Sequence, residues 1–423
     1  QEILAANTGM ARQALRVLGL ACRPLADVPD EPTPDAIERN LTFLGLTGMI
    51  DPARPEVKVA VDVARRAGLK SIMITGDYRD TAQAIAGQIG MLTEGGKVLA
   101  GAELDAMSDD ELNAMVDHLD VCARVSPQHK MRIVEALKAS GHIVAMTGDG
   151  VNDAPALKRA NIGVAMGITG TDVTKQTADM VLTDDNYASI VSAIEEGRII
   201  YSNIRKFVFY LISCNIGEIL IIFLSMLVGL PIPLRPIQLL WLNLVTDGAP
   251  ALALGLEKGD PDIMQRPPRP TKEPVINREM LLGVAVQAVA MTSAVIAAYI
   301  LAGAHPGADA NDPALPRWQT IAFTTLVMSE LLRAYTARSE RYALWKIGVF
   351  GNKWMQYAVG ASLLLLLLVI YVPFLQTVFG TVALSLGDWL MMTPFILLAS
   401  VAAELTKAYL RANSPKVVAP AAG

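Results

Sequence analysis

One stretch of thirteen residues, 146–158, has the residue types that a magnesium- and phosphate-binding turn requires. It places Asp149 and Asp153 four residues apart, directly after an apolar run. Two carboxylates at a strand end suit a hard cation such as Mg²⁺, which binds oxygen ligands and usually bridges to a phosphate. Gly148 and Gly150 let the backbone approach such a phosphate closely. An ordinary Asp/Asn/Gly turn is the alternative, but thirteen residues in this order favour the phosphate site.

The elements around this turn follow the pattern of a doubly wound α/β fold, because short apolar strands alternate with helices between residues 40 and 185. We predict strands at 72–74, 143–146 and 162–165. The first two each run into Thr-Gly-Asp. Ligands of such sheets bind beyond the carboxyl ends of the strands, so we expect Thr75, Gly76 and Asp77 to converge with the turn at 147–149 on one site.

Lys130 opens a predicted helix, 130–139, where its ammonium group could hold a phosphate oxygen. A surface lysine with no special role is the alternative. Further along, the charged segment 187–205 continues directly into an apolar one. We expect it to be a helix that couples the two halves of the chain rigidly, and the alternative is a simple amphipathic linker.

The composition indicates a soluble half joined to a membrane half. Of 423 residues, 52% are hydrophobic and 18% charged, with a mean hydropathy of +0.38, and the long apolar runs all follow residue 200. The net charge of −5 comes without a dense basic run, which argues against nucleic acid as a partner. Three widely separated cysteines predict reduced thiols. The first residue is not Met, so the start looks like the middle of something longer.

Six apolar segments are long enough to cross a hydrocarbon core of roughly 30 Å as helices. They lie at about 206–229, 235–256, 279–303, 317–337, 354–375 and 386–410. Lysine and arginine cluster in the links after the second and fourth spans and beyond the sixth, whereas the opposite connections hold only Arg235 and Arg317. The positive-inside rule therefore places both termini and the soluble half in the cytoplasm.

Several spans carry polar groups that offer oxygen ligands. These are Asn215, Glu218, Asn243, Thr246, Asp247 and Glu330. Ionisable groups at membrane depth are costly and usually face a cavity, a partner or an ion path. Oxygen ligands suit a hard cation such as Ca²⁺, with protons as counter-ions; a structural hydrogen bond is the alternative for any one of them. Segment 247–250 should interrupt its helix, as at transport sites, and Cys214 stands alone, which does not favour a copper- or zinc-type site.

Together, segments 75–77, 146–153 and 243–248 resemble the P-type cation-transporting ATPases, with the sarco/endoplasmic-reticulum calcium pumps and their bacterial relatives as the nearest branch. Further matches lie at 49–56, 123–130 and 260–269. The resemblance covers essentially the whole chain and implies that the α/β part is haloacid dehalogenase-like.

The resemblance implies roles for the residues above. Mg²⁺ would bind Asp149, and the phosphoryl pocket would consist of Lys130, Asn152, Asp153, Thr75 and Gly76. The nucleotide side, where ATP binds, would be lined by Asp77 and Asp51. The family's first calcium site is matched by Asn215, Glu218, Thr246, Asp247 and Glu330, and part of the second by Asn243 and Asp247. Secretory-pathway pumps lack the equivalents of Glu218 and Glu330, and sodium pumps differ around Asp247, so calcium is favoured.

The chain also departs from the family. The nucleophile motif Asp-Lys-Thr-Gly-Thr occurs nowhere in it, and the actuator domain, the first four spans and most of the nucleotide domain have no counterpart. We expect residues 1–25 to be the tail of the nucleotide-binding domain, 26–200 the rest of the phosphorylation domain with a stalk helix, 201–413 the membrane domain, and 414–423 a cytoplasmic tail.

The resulting hypothesis is the carboxyl-terminal part of an ATP-driven calcium export pump that works through an aspartyl phosphate in a bacterial plasma membrane. Its partners would be lipid, the transported cation with counter-transported protons, and the amino-terminal portion of the pump. Alone, it should be inactive. The rival is a non-catalytic membrane fragment or a split-pump subunit that complements a separate chain. A membrane-tethered phosphatase would need its own Asp-x-Asp pair after strand 41–46, which is absent.

Overall fold

The computed structural model describes residues 1–11, 13, 15–25, 33–50, 52–309 and 311–413. Asp51 and the predicted tail 414–423 lie outside these residues. The chain divides into two compact units. Unit 1 is Gln1–Ile194 with Met264–Pro268, and unit 2 is Glu195–Ile263 with the residues from Arg269 onward.

Unit 1 alternates strands and helices. Its strands are β1 Arg16–Cys22, β2 Thr42–Met49, β3 Met73–Thr75, β4 Lys97–Ala100, β5 Leu119–Ala123, β6 Ala145–Gly148, β7 Ile162–Met166 and β8 Met180–Leu182. Its helices are α1 Glu2–Ala11, α2 Pro34–Ile37, α3 Pro55–Arg66, α4 Arg79–Gln88, α5 Gly101–Ala106, α6 Asp109–Met115, α7 Pro127–Ala139, α8 Ala154–Arg159 and α9 Asp172–Thr177. The three predicted strands are present, and β6 begins two residues later than expected.

Two three-stranded sheets, both parallel, form the centre of unit 1, in the orders β3-β5-β4 and β6-β7-β8, and β1 pairs with β2 in an antiparallel ribbon. All five residues of β5 are buried, as expected for a parallel strand that is covered on both faces. The helices between the parallel strands confirm the doubly wound α/β prediction.

Helix α7 connects the apolar cores of these two sheets. Its Ile133 belongs to the cluster around β5, and its neighbour Val134 belongs to the cluster that includes Met146 of β6. Ile74 of β3 packs against both clusters. Helix α7 begins at Pro127, three residues before the predicted start. The reason is local, because the Ser126 hydroxyl caps the helix and proline is favoured in a first helical turn.

The helices of the remaining chain are α10 Tyr187–Leu227, α11 Pro236–Trp241, α12 Gly248–Gly255, α13 Arg278–Leu301, α14 Leu315–Thr336, α15 Leu344–Ile347, α16 Lys353–Tyr371, α17 Pro373–Phe379 and α18 Leu386–Asn413. Within the described residues, five stretches are long and apolar enough to span a membrane, namely α10, Pro236–Gly255, α13, α16 and α18. They agree with five of the six predicted spans.

The predicted span at 317–337 corresponds to α14, which is helical but too polar to count among those five. Most of its residues are buried inside unit 2. It packs against α13 and α18 around an apolar core that includes Met291, Phe323 and Met392. A helix enclosed by other helices need not present an apolar surface to lipid, so it can carry polar residues.

Candidate functional site

The turn after β3 is fixed by its own side chains. The Thr75 hydroxyl donates to Oδ2 of Asp77 (3.0 Å), and the Asp77 N–H donates to Oγ1 of Thr75 (3.1 Å). Thr75 is half-buried, whereas Gly76 and Asp77 are exposed. The strand end thus presents a backbone turn and a carboxylate to the surface of unit 1.

The turn after β6 is organised by a buried carboxylate. Oδ2 of Asp153 accepts the backbone N–H groups of Asp149 and Gly150 (both 3.2 Å), and Oδ1 contacts the ammonium group of Lys130. The side chains of Asp149 and Asn152 are exposed. Asp153 is therefore occupied in shaping the turn and pairing with Lys130, while the Asp149 carboxylate is accessible to a cation.

Gly148 is required by the close approach of the strand end to Asp153. A methyl group at Gly148 would overlap the Cβ of Asp153 and meet Leu157 Cδ1 at 2.8 Å. At Gly76, in the corresponding turn after β3, a methyl group would have no heavy atom of the described residues within 4 Å. The two turns share a sequence pattern, yet only the second leaves no room for a side chain.

We expect Gly148→Ala to lower the free energy of unfolding by about 1–3 kcal/mol, the usual cost of overpacking. Gly76→Ala is the matched control and should change stability by less than about 0.5 kcal/mol. Thermal unfolding of the detergent-solubilised chain measures both. Equal stability of the two variants would contradict the close packing of Gly148 against Asp153.

Asp185, which sequence reasoning missed, holds the loop that follows β7. Its carboxylate accepts the N–H groups of Gly167 (2.6 Å), Ile168 (3.0 Å) and Thr169 (2.8 Å), and also the Thr169 hydroxyl (2.8 Å). Desolvation raises the pKa of Asp185, but the hydrogen bonds from Ile168, Thr169 and Gly167 together lower it to about 2. Farther along the same connection, the Thr171 N–H donates to the Asp149 carbonyl (2.9 Å). This connection therefore supports the Asp149 turn.

We expect Asp185→Asn to speed amide exchange of Gly167–Thr169 by about tenfold, because these amides lose a charged acceptor. Since the folded pKa is depressed from 3.8, the wild-type contribution is present above about pH 4 and lost as the pH falls towards about 2. Hydrogen exchange of the peptide covering 162–170 measures both effects. Glu94→Gln, at an exposed loop carboxylate, is the control. Identical exchange in wild type and Asp185→Asn would refute this role.

A second constellation lies among the helices of unit 2. Ligand atoms of Cys214, Asp247 and Glu330 all lie within 4.8 Å of one another, and all three residues are buried. Within the described residues, Oδ2 of Asp247 and both carboxylate oxygens of Glu330 have no hydrogen-bond partner. Unpartnered buried carboxylate oxygens are costly, and a bound cation is one means of satisfying them.

The remaining predicted ligands are placed unequally. Glu218 is buried, and its Oε2 accepts from the Asn243 side-chain amide (2.8 Å), while its Oε1 has no hydrogen-bond partner in the described part of the chain. The Thr246 hydroxyl donates to the Leu242 carbonyl (3.0 Å). Asn215 is exposed, and its amide donates to the carbonyl of the preceding helical turn. The structure therefore brings Glu218 and Asn243 into contact, whereas within the described residues the Asn215 side chain bonds only to its own helix.

The interruption of the second span begins before the segment predicted to break it. A π-helical turn occupies Leu242–Thr246, and the Asp247 N–H donates to the Leu242 carbonyl five residues back (2.9 Å). Pro250, which follows within α12, lacks the N–H that would bond Thr246. The wider turn thereby precedes Asp247, and such turns are frequent at functional sites.

Two residues that sequence reasoning missed line this constellation. The Tyr210 hydroxyl donates to Oδ1 of Asp247 (3.0 Å) and to the Glu330 carbonyl (3.4 Å). Arg333 is 1% exposed and donates to Cys214 Sγ (3.2 Å). Arginine at i+3 from Glu330 was the available sequence signal, since charges within a span are rare.

Family models match most of the chain. The model described as the carboxyl terminus of cation-transporting ATPases matches residues 231–409. Two models described as haloacid dehalogenase-like hydrolases match residues 10–161 and 131–194.

Three curated relatives similar to this chain are named calcium-transporting ATPases. The chain is 49% identical to the calcium-transporting ATPase of Bacillus subtilis (strain 168), over 90% of this chain and 42% of that protein. It is 45% identical to calcium-transporting ATPase 1 of Bacillus cereus, over 95% of this chain and 45% of that protein. It is 42% identical to calcium-transporting ATPase type 2C member 2 of Rattus norvegicus, over 94% of this chain and 40% of that protein. The chain thus spans less than half the length of each of these relatives.

Proposed function

This chain belongs to the cation-transporting P-type ATPase family, and on that premise we propose that it forms the carboxyl-terminal part of an ATP-driven calcium export pump. The membership confirms the resemblance seen in the sequence and the haloacid dehalogenase-like character of unit 1. As part of the same proposal, the pump lies in a bacterial plasma membrane with both termini cytoplasmic and protons as counter-ions.

The observation that carries this proposal is the buried carboxylate cluster of unit 2. In the part of the chain that the structure describes, Asp247 and Glu330 together have three buried oxygens without a hydrogen-bond partner, and Glu218 adds a fourth. Carboxylate oxygens are the ligands that Ca²⁺ prefers. Their position on helices long and apolar enough to span a membrane (α10 and Pro236–Gly255), or enclosed by such helices (α14), supports transport rather than structural ion binding.

The turns of unit 1 supply the phosphate-handling half of the proposed pump. Mg²⁺, when bound with ATP, offsets phosphate charge. The residues present fit that ion, because the exposed Asp149 carboxylate stands at a strand end beside a Gly-rich turn. Asp153 holds the turn, and Lys130 brings a positive charge to it. Thr75 and Gly76 would help to position the transferred phosphoryl group, and Asp77, with Asp51, would lie on the nucleotide side.

The nucleophile, in this proposal, comes from a part of the pump that this sequence does not contain. Among the described residues, β3 and β6 each pair on one side only, although Ile74 of β3 packs against the apolar cluster of β6. Exposed strand edges are templates for another strand. A strand that carried the phosphorylated aspartate could join these edges and place it beside both Thr-Gly-Asp turns.

The domain limits are part of the proposal. Residues 1–25 would complete the nucleotide-binding domain, 26–200 the phosphorylation domain, and 201–413 the membrane domain. The split of the described residues at Ile194 and Glu195 falls close to the proposed boundary at 200.

Incubating the purified chain with radiolabelled ATP tests the proposal. We expect no acid-stable, hydroxylamine-sensitive phosphoprotein from the chain alone, and a labelled product when it forms part of a complete pump. Restoration of labelling by a separately expressed amino-terminal chain would indicate a split pump. Labelling of the isolated chain would contradict the proposed external nucleophile. If the complete pump takes up no calcium in the presence of ATP, the proposed transport function is wrong.

A further inference from the structure

Arg333, on α14, is a buried cation whose hydrogen bonds all go to neutral groups. It is 1% exposed. Its guanidinium donates to the Tyr210 carbonyl (3.5 Å), to Cys214 Sγ (3.2 Å) and to the Ser213 hydroxyl. The aromatic rings of Phe209 and Tyr210 lie 5.5 and 5.3 Å from its central carbon. Among the described residues, no carboxylate forms an ion pair with it.

Another buried arginine of unit 2 shows the contrast. Arg338 is 2% exposed and donates from two nitrogens to the two carboxylate oxygens of Glu257 (2.8 and 3.0 Å). A bidentate pair of this kind neutralises both partners and has a structural role. The charge of Arg333 is not neutralised in this way.

The charge of Arg333 is nevertheless close to the proposed cation ligands. The sulfur atom of Cys214, to which it donates, lies within 4.8 Å of carboxylate oxygens of both Asp247 and Glu330. Tyr210 also connects Arg333 with the carboxylates, since its hydroxyl donates to Asp247 and its backbone carbonyl accepts from Arg333. The Cys214 sulfur therefore contacts the guanidinium and also lies close to both carboxylates, in a buried region where charges are weakly screened.

We propose that Arg333 is a resident positive charge that sets the net charge of the buried carboxylate cluster, which consists of Glu218, Asp247 and Glu330. This inference rests on the proposed transport function. With a cation bound, the ionised carboxylates of Glu218, Asp247 and Glu330 contribute three negative charges and Arg333 contributes one positive charge. The resulting formal charge of −2 balances one divalent cation. Arg333 is not a ligand of the cation. Its positive charge repels a bound cation, and this repulsion weakens binding in proportion to the charge of the cation.

Proportionality to ion charge gives this role a signature that a structural role lacks. Removing the positive charge makes the binding free energy of each ion more favourable by an amount proportional to the valence of that ion. If Arg333→Gln raises Ca²⁺ affinity about tenfold, Coulomb's law predicts a gain of about thirtyfold for Tb³⁺ and about threefold for Na⁺. A local packing defect would change the three affinities without that order.

The experiment measures equilibrium binding of calcium-45 to the complete pump in detergent, with competition by Tb³⁺ and by Na⁺. We expect the charge-ordered gain for Arg333→Gln and affinities near wild type for Arg333→Lys, which keeps the charge. Arg338→Gln is the matched control: it removes a buried arginine five residues away and should lower thermal stability without the charge-ordered pattern.

Ser213→Asp provides a second variant if Arg333→Gln does not fold, because an aspartate there would pair with the guanidinium and neutralise it in place. The same order of gains is expected. Unchanged or uniformly lowered affinities in the folded variants would overturn the inference. Wild-type pump that binds no calcium would instead contradict the proposed function, so the two failures are distinguishable.

Discussion

Asp247→Asn in the complete pump is expected to lower the apparent calcium affinity at least about 100-fold, which corresponds to about 2.7 kcal/mol. The substitution keeps the shape of the side chain and an acceptor for the Tyr210 hydroxyl. It removes one negative charge from a fully buried group whose Oδ2 has no hydrogen-bond partner among the described residues. Uptake of calcium-45 by vesicles, measured against free calcium at saturating ATP, gives the affinity.

The comparison with Glu218→Gln sharpens this test. Glu218 already accepts a hydrogen bond from Asn243, so we expect a smaller loss than at Asp247. Glu257→Gln is the control, because Glu257 is a buried carboxylate neutralised by Arg338. That variant should unfold at a lower temperature but keep its calcium dependence. Unchanged transport in both Asp247→Asn and Glu218→Gln would reject the site.

Lys130→Met is expected to slow formation of the phosphorylated pump about 100-fold or more, the usual effect of removing one positioned charge from a phosphoryl-transfer site. Lys130 is mostly buried and its ammonium contacts Asp153, which shapes the turn that carries Asp149. Its loss would leave the Asp153 carboxylate buried without its cation, which also destabilises unit 1. Rapid-quench labelling with radioactive ATP measures the rate.

Lys138→Met is the matched control, since Lys138 lies on the same helix α7 and its ammonium group donates to the Arg159 carbonyl at the surface. We expect its labelling rate to stay within about twofold of wild type. Lys130→Arg should restore part of the rate because it keeps the charge. Equal rates for Lys130→Met and Lys138→Met would show that Lys130 has no part in phosphoryl transfer.

Much of the architecture could be predicted because it depends on local patterns. Short apolar strands followed by Thr-Gly-Asp identified β3 and β6, and apolar runs identified five of the spans, since backbone groups in lipid must be satisfied within a helix. The start of α7 was misplaced because its Ser126 cap went unrecognised. The P-type ATPase family and the doubly wound α/β fold class could therefore be predicted from the sequence alone.

The candidate cation site shows the limit of this reasoning. Spacing along a helix indicates which residues share a face, and on that basis Asn215 and Glu218 were predicted to lie on the same face of their helix. In the structure Glu218 is buried against Asn243, whereas Asn215 is exposed. Cys214 looked isolated, yet it lies beside Asp247 and Glu330, which are distant in sequence. Contacts between helices depend on how each helix is rotated against its neighbours, and no local pattern records that rotation.

The sequence by itself determined the residue types: paired carboxylates at a strand end, oxygen ligands at membrane depth, and a lysine near a phosphate-binding turn. Hydrophobic periodicity and turn chemistry are local properties, so they can be read without a fold. Only the tertiary structure decided which groups are satisfied and which are not. In the structure, Asp153 bonds to the Asp149 turn and to Lys130. Among the described residues, Asp247 and Glu330 keep oxygens without a hydrogen-bond partner, and Arg333 contacts the Cys214 sulfur that lies close to both. Burial and long-range contacts set those outcomes, because both arise only when distant segments pack together.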